Sequence, residues 1–312
     1  MHTHGLRRLD GLIWTAIALV AAVVLAAAPV FGLSIKYGSF AAPALFCTAL
    51  VAGAWFYRSR RNEPNLASAL ETTGQLMAFS AVGAPLSYVA AAVGFPLRDR
   101  LFDGMDRALA FDWLGLLAIM KRWPDVAALL HVAYLSLTVQ TAIVVLLLAF
   151  TGRLAWLRVY MLAFVIAALA TIVISAALPA EGVWLHYGLT TSAGPLPDSH
   201  SSWPVFLGLR DGSYRTIVAV GAQGIVTFPS LHAALAVILL AAWWPLPIAR
   251  WIGLVLDALM LIATPIEGSH YFVDVFAGIA IACASVLVAR AIVLRAHATA
   301  PAVIEPGLVP GR

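Results

Sequence analysis

The chain has 312 residues, of which 62% are hydrophobic and only 11% are charged. A soluble domain has about 45–50% apolar and about 25% charged residues, so this composition excludes an ordinary soluble enzyme, a disordered chain and a disulfide-rich secreted scaffold. The net charge of +4 comes from basic residues spread between apolar blocks, which indicates membrane topology and not nucleic-acid binding. We therefore expect an all-α, polytopic integral membrane protein.

Eight apolar runs approach the roughly 20 residues that a membrane-spanning helix needs. In chain order they lie at residues 12–33, 40–57, 70–95, 126–150, 159–180, 230–248, 251–266 and 272–294. The first run follows Arg7 and Arg8, as in a signal peptide, but it is longer than the usual apolar region of about 7–15 residues in such a peptide. We therefore predict about eight spans, with an uncleaved first one.

The arginines of the short loops set the predicted orientation. Arg58, Arg60 and Arg61 directly follow the second run, and Arg153 and Arg158 separate the fourth run from the fifth. The positive-inside rule then places both termini in the cytoplasm. Because the spans are compact and rich in alanine, we expect a bacterial inner membrane, with the opposite face in the periplasm.

Two long segments fall on that outer, periplasmic side. Residues 96–124 carry Asp99, Asp103 and Asp106 between apolar residues at helical spacing, which predicts an amphipathic helix on the outer membrane face. We interpret Asp103 and Asp106 as surface charges or as partners of Arg100 and Arg107. Residues 181–229 are rich in glycine, proline and serine, which predicts an irregular loop.

A histidine and an aspartate lie at the outer mouth of the last predicted span. His270 and Asp274 are four residues apart in HYFVDVFAG, so on a helix they share a face. The carboxylate can then accept a hydrogen bond from one imidazole nitrogen and leave the lone pair of the other nitrogen free, as in nucleophilic sites. Taken alone, the pair is equally compatible with a buried structural contact or with two metal ligands.

A second histidine falls at the outer mouth of the sixth span. His232 lies in TFPSLHAAL, where Pro229 and Ser230 are typical of a helix start. The N–H groups at a helix start favour an anion such as phosphate. Two independently placed histidines thus come to one side of the membrane at similar depth, which indicates a catalytic site.

The two motifs, PSLH and GSHYFVDVFAG, resemble those of the type 2 phosphatidic acid phosphatase superfamily. Within it they are most similar to the branch of fungal inositol phosphorylceramide synthases and sphingomyelin synthases. The larger superfamily carries PSGH and S-R-x5-H-x3-D; here Leu231 replaces the glycine, and Ala263 and Thr264 stand where the serine and arginine would be. An upstream K-x6-R-P is also missing, which leaves the identity of the phosphate-binding cations open.

The resemblance implies a domain organisation. Residues 66–296 would form the six-helix catalytic core, and residues 1–65 would add two N-terminal transmembrane helices. Residues 297–312 would be a short disordered tail.

The resemblance also implies roles for the motif residues. His270 would attack the phosphorus of a lipid phosphoester and form a phospho-histidine, and Asp274 would orient it. His232 would give a proton to the leaving oxygen, and Ser230, with nearby backbone N–H groups, would hold a phosphate oxygen. This scheme needs no cofactor and no metal, and the sequence places no tight carboxylate cluster beside His232 or His270.

Phosphate bound at such a site calls for cations, because a phosphoryl group in transfer carries charge on its equatorial oxygens. We predict Arg215, and after it Arg210, as substrate-binding residues, since both lie in the loop that precedes His232. The alternatives are four cations of the preceding outer segment: Arg100, Arg107, Lys121 and Arg122. An equally good interpretation is that they contact lipid headgroups at the membrane surface.

Three functions fit these residues. A phosphatase would pass the phosphoryl group to water, whereas a headgroup transferase would pass phosphoinositol or a similar group to a lipid alcohol, and the motifs favour transfer. A non-catalytic transporter or scaffold would instead use the intramembrane acids Glu71 and Asp257. The expected partners are a phospholipid or lipid-phosphate substrate and the bilayer, and the sequence does not predict the oligomeric state.

Overall fold

Helices make up about 80% of the computed structural model, which describes residues 2–189, 202–219 and 224–298. The described residues form thirteen α-helices: α1 (His2–Val30), α2 (Ala41–Phe56), α3 (Pro64–Ala92), α4 (Asp99–Ala108), α5 (Trp113–Arg122), α6 (Pro124–Leu135), α7 (Leu137–Phe150), α8 (Leu154–Ala177), α9 (Val183–His186), α10 (Trp203–Asp211), α11 (Leu231–Trp243), α12 (Ala249–Glu267) and α13 (Phe272–Ala298). A 3₁₀ turn (Tyr37–Phe40) precedes α2, and a π-helical turn (Tyr57–Arg61) follows it. The all-α membrane bundle expected from composition is confirmed. Most of the predicted tail, residues 299–312, lies outside the described residues.

Each of the eight predicted spans coincides with a helix or a helix pair, but fewer of them are long enough to cross a membrane. Six helices of the described chain pass that test: α1, α2 with its flanking turns, α3, α8, α12 and α13. A seventh crossing results if α6 and α7, which are bent by 47°, count as one span. Because α11 has only 13 residues and a span needs roughly 20, the count of eight is not confirmed.

The core of the bundle lies around α8. This helix packs against α3, α11 and α13, and its Leu157, Met161 and Ala163 have no exposed surface. Small residues at such contacts let membrane helices approach one another closely. The packing brings the C-terminal ends of α3 and α8 together with the N-terminal ends of α11 and α13, at what we call the site end of the bundle.

The two N-terminal helices pack differently from each other. Leu9, Ile13 and Ile17 of α1 are buried in the same core as α8, and buried Asp10 forms an ion pair with buried Arg158 of α8 at 2.8 Å. In α2 only Ala54 is buried, as expected for a helix that faces lipid. Helix α1 is thus an integral part of the bundle, whereas α2 lies on its outside.

The predicted amphipathic segment consists of two helices, α4 and α5, but its aspartates are not simple surface charges. Asp99 and Asp106 are buried, whereas Asp103 pairs with Arg107 at 2.8 Å. Apolar residues on the other side of α4 are exposed: Leu101, Met105 and Leu109. Helix α4 therefore turns its acidic side towards the protein and leaves an apolar side to its surroundings, which fits a helix lying against lipid.

The predicted outer loop, residues 181–229, is less irregular than its composition suggests. Within its described part it contains α9, α10 and a two-residue strand β2 (Thr216–Ile217). This strand pairs in parallel with β1 (Ser34–Ile35), which follows α1. The pairing fixes the end of the loop against the N-terminal part of the chain.

Candidate active site

Helix α11 begins where the sequence predicts. Ser230 is its N-cap, and the Ser230 hydroxyl accepts a hydrogen bond from the Ala233 backbone N–H at 3.2 Å. Ser230 is fully buried, and Leu231 and His232 form the first turn. The first N–H groups of a helix have no acceptor within it, so this turn presents donors at the site end.

His270 lies in the short loop between α12 and α13. Its Nδ1 is 3.2 Å from Oδ2 of Asp274, which also accepts the Tyr271 backbone N–H at 2.9 Å. Both side chains are buried, with residue exposures of 3% for His270 and 0% for Asp274. A carboxylate only accepts hydrogen bonds, so this contact places the ring proton on Nδ1 and leaves the lone pair on Nε2.

The two histidine motifs meet through their backbones. The Ser230 N–H donates to the Asp274 carbonyl at 3.0 Å. Gly278, one turn after Asp274 in α13, also packs against the backbone of Ser230. A Cβ at Gly278 would lie 2.3 Å from the Ser230 carbonyl oxygen. The glycine of HYFVDVFAG thus lets α13 approach the start of α11, and this approach joins the two motifs.

His232 and His270 line one cavity of ≈ 360 Å³ at the site end. The ring of His232 stacks on Tyr134 of α6, with centroids 4.3 Å apart and planes inclined by 14°. Away from the histidines the cavity continues between α3 and α8, where Phe79 and Phe164 form part of its wall. The cavity therefore has a polar end with the two imidazoles and an apolar end among the helix midpoints.

The protonation of His270 follows from its burial. Burial, and after it the nearby His232, lowers the pKa of His270 to about 3, and the Thr227 carbonyl partly opposes this shift. The imidazole is then neutral near pH 7. A neutral imidazole with Nδ1 held by a carboxylate is the form that attacks as a nucleophile.

Asp106 of α4 supports the loop that carries His270. Its carboxylate accepts the backbone N–H groups of Phe272 and Val273, at 2.7 and 2.9 Å. These are first-turn N–H groups of α13, so Asp106 caps a helix from a different part of the chain.

Asp99, also in α4, supports the same loop from its other side. It accepts the hydroxyl of Tyr271 at 3.0 Å and the backbone N–H of Gly182 at 3.0 Å. The sequence analysis missed the roles of Asp99 and Asp106. Their spacing of seven residues, which puts both on one face of α4, was the signal that could have indicated them.

Aromatic residues after α4 extend this support. Phe111 stacks on Phe272 with ring centroids 4.5 Å apart, and the Trp113 indole donates to the Pro265 carbonyl at 3.1 Å. The segment predicted as a surface helix thus holds both ends of the loop between α12 and α13.

Neither arginine predicted to bind substrate lines the cavity. Arg215 donates from its guanidinium to the carbonyls of Phe31 and Gly212, at 2.9 and 3.0 Å. Arg210, in α10, donates to the Phe95 carbonyl at 2.7 Å. Their role in substrate binding stays a prediction, and so does that of Ser230, whose hydroxyl serves as the cap of α11. Among the described residues, no group of three His, Cys, Asp or Glu side chains is arranged to hold a metal ion.

Comparison with known proteins agrees with the motifs. The PAP2 superfamily profile matches residues 101–288, which include most of α4 and both histidine motifs. No curated protein and no solved structure matches the chain. The superfamily match does not distinguish the synthase-like branch, which stays a prediction. The match covers more than half of the chain, and the chain therefore belongs to the PAP2 superfamily, whose members are phosphoesterases.

Proposed function

We propose that the chain is a membrane lipid phosphatase or phosphotransferase that acts through a phospho-histidine intermediate. One observation carries the proposal: His232 and His270 line the same cavity, and the Nδ1 of His270 is held by Asp274. Family membership supports a lipid phosphatase type of phosphoesterase.

In the first step, Nε2 of His270 attacks phosphorus. The N–P bond forms and the bond from phosphorus to the leaving alcohol oxygen breaks, while His232 transfers its proton to that oxygen. In the second step an acceptor hydroxyl attacks phosphorus, His232 takes the acceptor's proton, and the N–P bond breaks. Asp274 stabilises the positive charge that the His270 ring acquires in the first step. The cycle consumes no metal and no cofactor.

The shape of the cavity supports a lipid substrate. Its apolar end lies between α3 and α8, at Phe79 and Phe164, whose rings are 5.6 Å apart. Both residues lie near the middle of their helices, and both helices are candidate membrane spans. A water-soluble phosphate ester has no apolar group to bury at this end. Burial of an acyl chain there lowers the free energy of binding.

Transfer to an alcohol is the second candidate function. It uses the same residues with a lipid alcohol in place of water, and the likeness of PSLH and HYFVD to the synthase branch favours it. We further propose that the site end faces the periplasm of a bacterial inner membrane, with both termini cytoplasmic, because this orientation leaves most short-loop arginines inside.

The test compares purified wild-type protein with His270→Ala in liposomes that contain lipid phosphoesters, with EDTA and with or without a lipid alcohol. We expect diacylglycerol to form with wild type and not with His270→Ala. Transfer to water, which gives free phosphate from a monoester or a phosphorylated headgroup from a diester, would identify a phosphatase, and label on the added alcohol would identify a transferase. Equal turnover by the two proteins would contradict the histidine mechanism, and a wild type inactive on every phosphoester would favour a transporter or scaffold.

A further inference from the structure

The described wall of the cavity contains no fixed positive charge for a bound phosphate. No lysine or arginine is among the described residues that line it. The stretches 190–201 and 220–223 of the outer loop, which lie outside the described residues, contain neither residue type in the sequence. Since His270 must be neutral to attack, a protonated His232 is the positive charge that this wall can present to the phosphate.

His232 carries such a proton less readily than an exposed histidine does. Among the described residues, no carboxylate pairs with its ring, whereas Asp274 pairs with that of His270. Burial lowers the pKa of His232 to about 4. A general acid must hold its proton until the leaving oxygen accepts it, so the first step needs a group that favours the imidazolium form of His232.

Tyr134 of α6 is in contact with the face of the His232 ring. The two ring centroids are 4.3 Å apart, and the planes are inclined by only 14°. The face of an aromatic ring attracts a cation that lies within about 6 Å of its centroid, so Tyr134 attracts an imidazolium more strongly than a neutral imidazole. Because stacking uses the face of the imidazole, the ring edge with both nitrogens is left clear of Tyr134.

The structure fixes the position of Tyr134. The residue is only 3% exposed and lies in one apolar cluster with Ala263 of α12. One turn earlier on the same face of α6, Nδ1 of His131 is 2.9 Å from Oε2 of Glu267, the last residue of α12. Helix α6 is thus fixed to the end of α12, from which the chain enters the loop of His270.

We propose that Tyr134 is a positioning residue for the acid step: the face of its ring holds the His232 imidazole and favours its protonated form until the leaving oxygen takes the proton. The inference rests on the proposed function, because it concerns the proton donor of the same histidine site. In this step the N–P bond forms at His270, the bond from phosphorus to the leaving oxygen breaks, and the His232 proton moves to that oxygen. Tyr134 itself forms no bond and exchanges no proton.

The experiment compares two lipid phosphodiesters whose leaving oxygens differ in their need for a proton. Purified full-length protein in liposomes is given hexadecyl phenyl phosphate or hexadecyl 4-nitrophenyl phosphate, which have the same charge and the same alkyl chain. Phenolate is the more basic leaving group, so its departure gains more from a proton than that of nitrophenolate. The ratio of kcat/KM for the nitrophenyl ester to that for the phenyl ester therefore measures the acid step, and it does not depend on the fraction of folded enzyme.

Tyr134→Leu removes the aromatic face. We expect kcat/KM for the phenyl ester to fall about tenfold more than that for the nitrophenyl ester. Tyr134→Phe, which keeps a ring face, should restore the wild-type ratio, and Tyr37→Leu, at an exposed tyrosine before α2, is the control. In a His232→Ala background Tyr134→Leu should not change the ratio further, because the proton donor is already absent.

Three results would overturn the inference. They are an equal loss on both esters in Tyr134→Leu, the same change of the ratio with and without His232, and a ratio in Tyr134→Phe that matches that of Tyr134→Leu. Failure of the proposed function is distinguishable, because wild type would then release the phenol from neither ester faster than His270→Ala does.

Discussion

Two glycines, each without a Cβ atom, allow the close packing around the two histidine motifs. Gly278 lies against the Ser230 carbonyl, and Gly268 lies against His270, where a Cβ would be 2.4 Å from Cδ2 of the imidazole. Real Cβ atoms essentially never come so close to another heavy atom, so any side chain at either position must displace its neighbour. The two glycines therefore set the position of the His232 and His270 rings.

Gly278→Ala should separate the motifs. The added methyl meets the Ser230 carbonyl and forces α11 away from α13, so we expect kcat/KM to fall by about tenfold or more and stability to fall by about 1–3 kcal/mol. Activity in liposomes and thermal unfolding in detergent measure the two effects. Gly11→Ala in α1 is the matched control, since nothing lies within 4 Å of a Cβ there. Equal activity of the two variants would contradict this view of Gly278.

The pH dependence follows from the buried state of His270. Burial lowers its pKa to about 3, so the ring stays neutral well below the value of about 6.5 for an exposed histidine. Mild acid therefore leaves His270, the proposed nucleophile, in its neutral form. We expect kcat/KM for a phosphodiester not to fall with falling pH between about 7 and 5. Unfolding curves at each pH control for loss of structure, and a half-maximal rate near the pKa of an exposed histidine would contradict the prediction.

At the scale of elements, local contacts were predictable and distant ones were not. The cap of α11 by Ser230 and the pair of His270 with Asp274 each span three or four residues, so spacing alone predicted them. Asp106 and Phe272 are 166 residues apart in the chain. No periodicity connects such positions, and the surface-charge interpretation of Asp106 was therefore wrong.

The cap that α4 supplies to α13 gives a prediction about that pair of helices. Asp106→Asn keeps one acceptor oxygen and brings an NH₂ group against a backbone N–H, so the start of α13 and the loop of His270 should shift. We expect kcat to fall by about tenfold with a smaller change in KM, because the nucleophile is misplaced while the cavity remains. Asp125→Asn, at an exposed aspartate in the first turn of α6, is the control. An unchanged kcat in Asp106→Asn would show that the cap does not position His270.

At the scale of the whole molecule, composition predicted the all-α membrane bundle, whereas the arrangement of its charges needed the structure. Glu71, one of the acids that a transporter would use, accepts the Trp14 indole at 2.7 Å and lies 3.4 Å from Arg58. Together with Asp10 and Arg158 these residues form a compact polar cluster that joins α1, α3 and α8. Partners in such a cluster come from distant parts of the chain, so the sequence could not identify the partners of Glu71.

The ion pair between Asp10 and Arg158 gives the last prediction, which concerns how α1 is held in the bundle. Arg158→Met removes the closest and only buried cationic partner of the Asp10 carboxylate and leaves half-buried Arg58, at 3.9 Å, as its remaining cation. Breaking a buried pair in this way costs about 3–5 kcal/mol. We expect a clear drop in the thermal unfolding temperature in detergent, and the double variant Asp10→Asn, Arg158→Met should recover most of it because no charge is left unpaired. Arg8→Met, at an exposed arginine of α1, is the control. If Arg158→Met unfolds at a temperature no lower than that of Arg8→Met, apolar contacts alone hold α1 against α8.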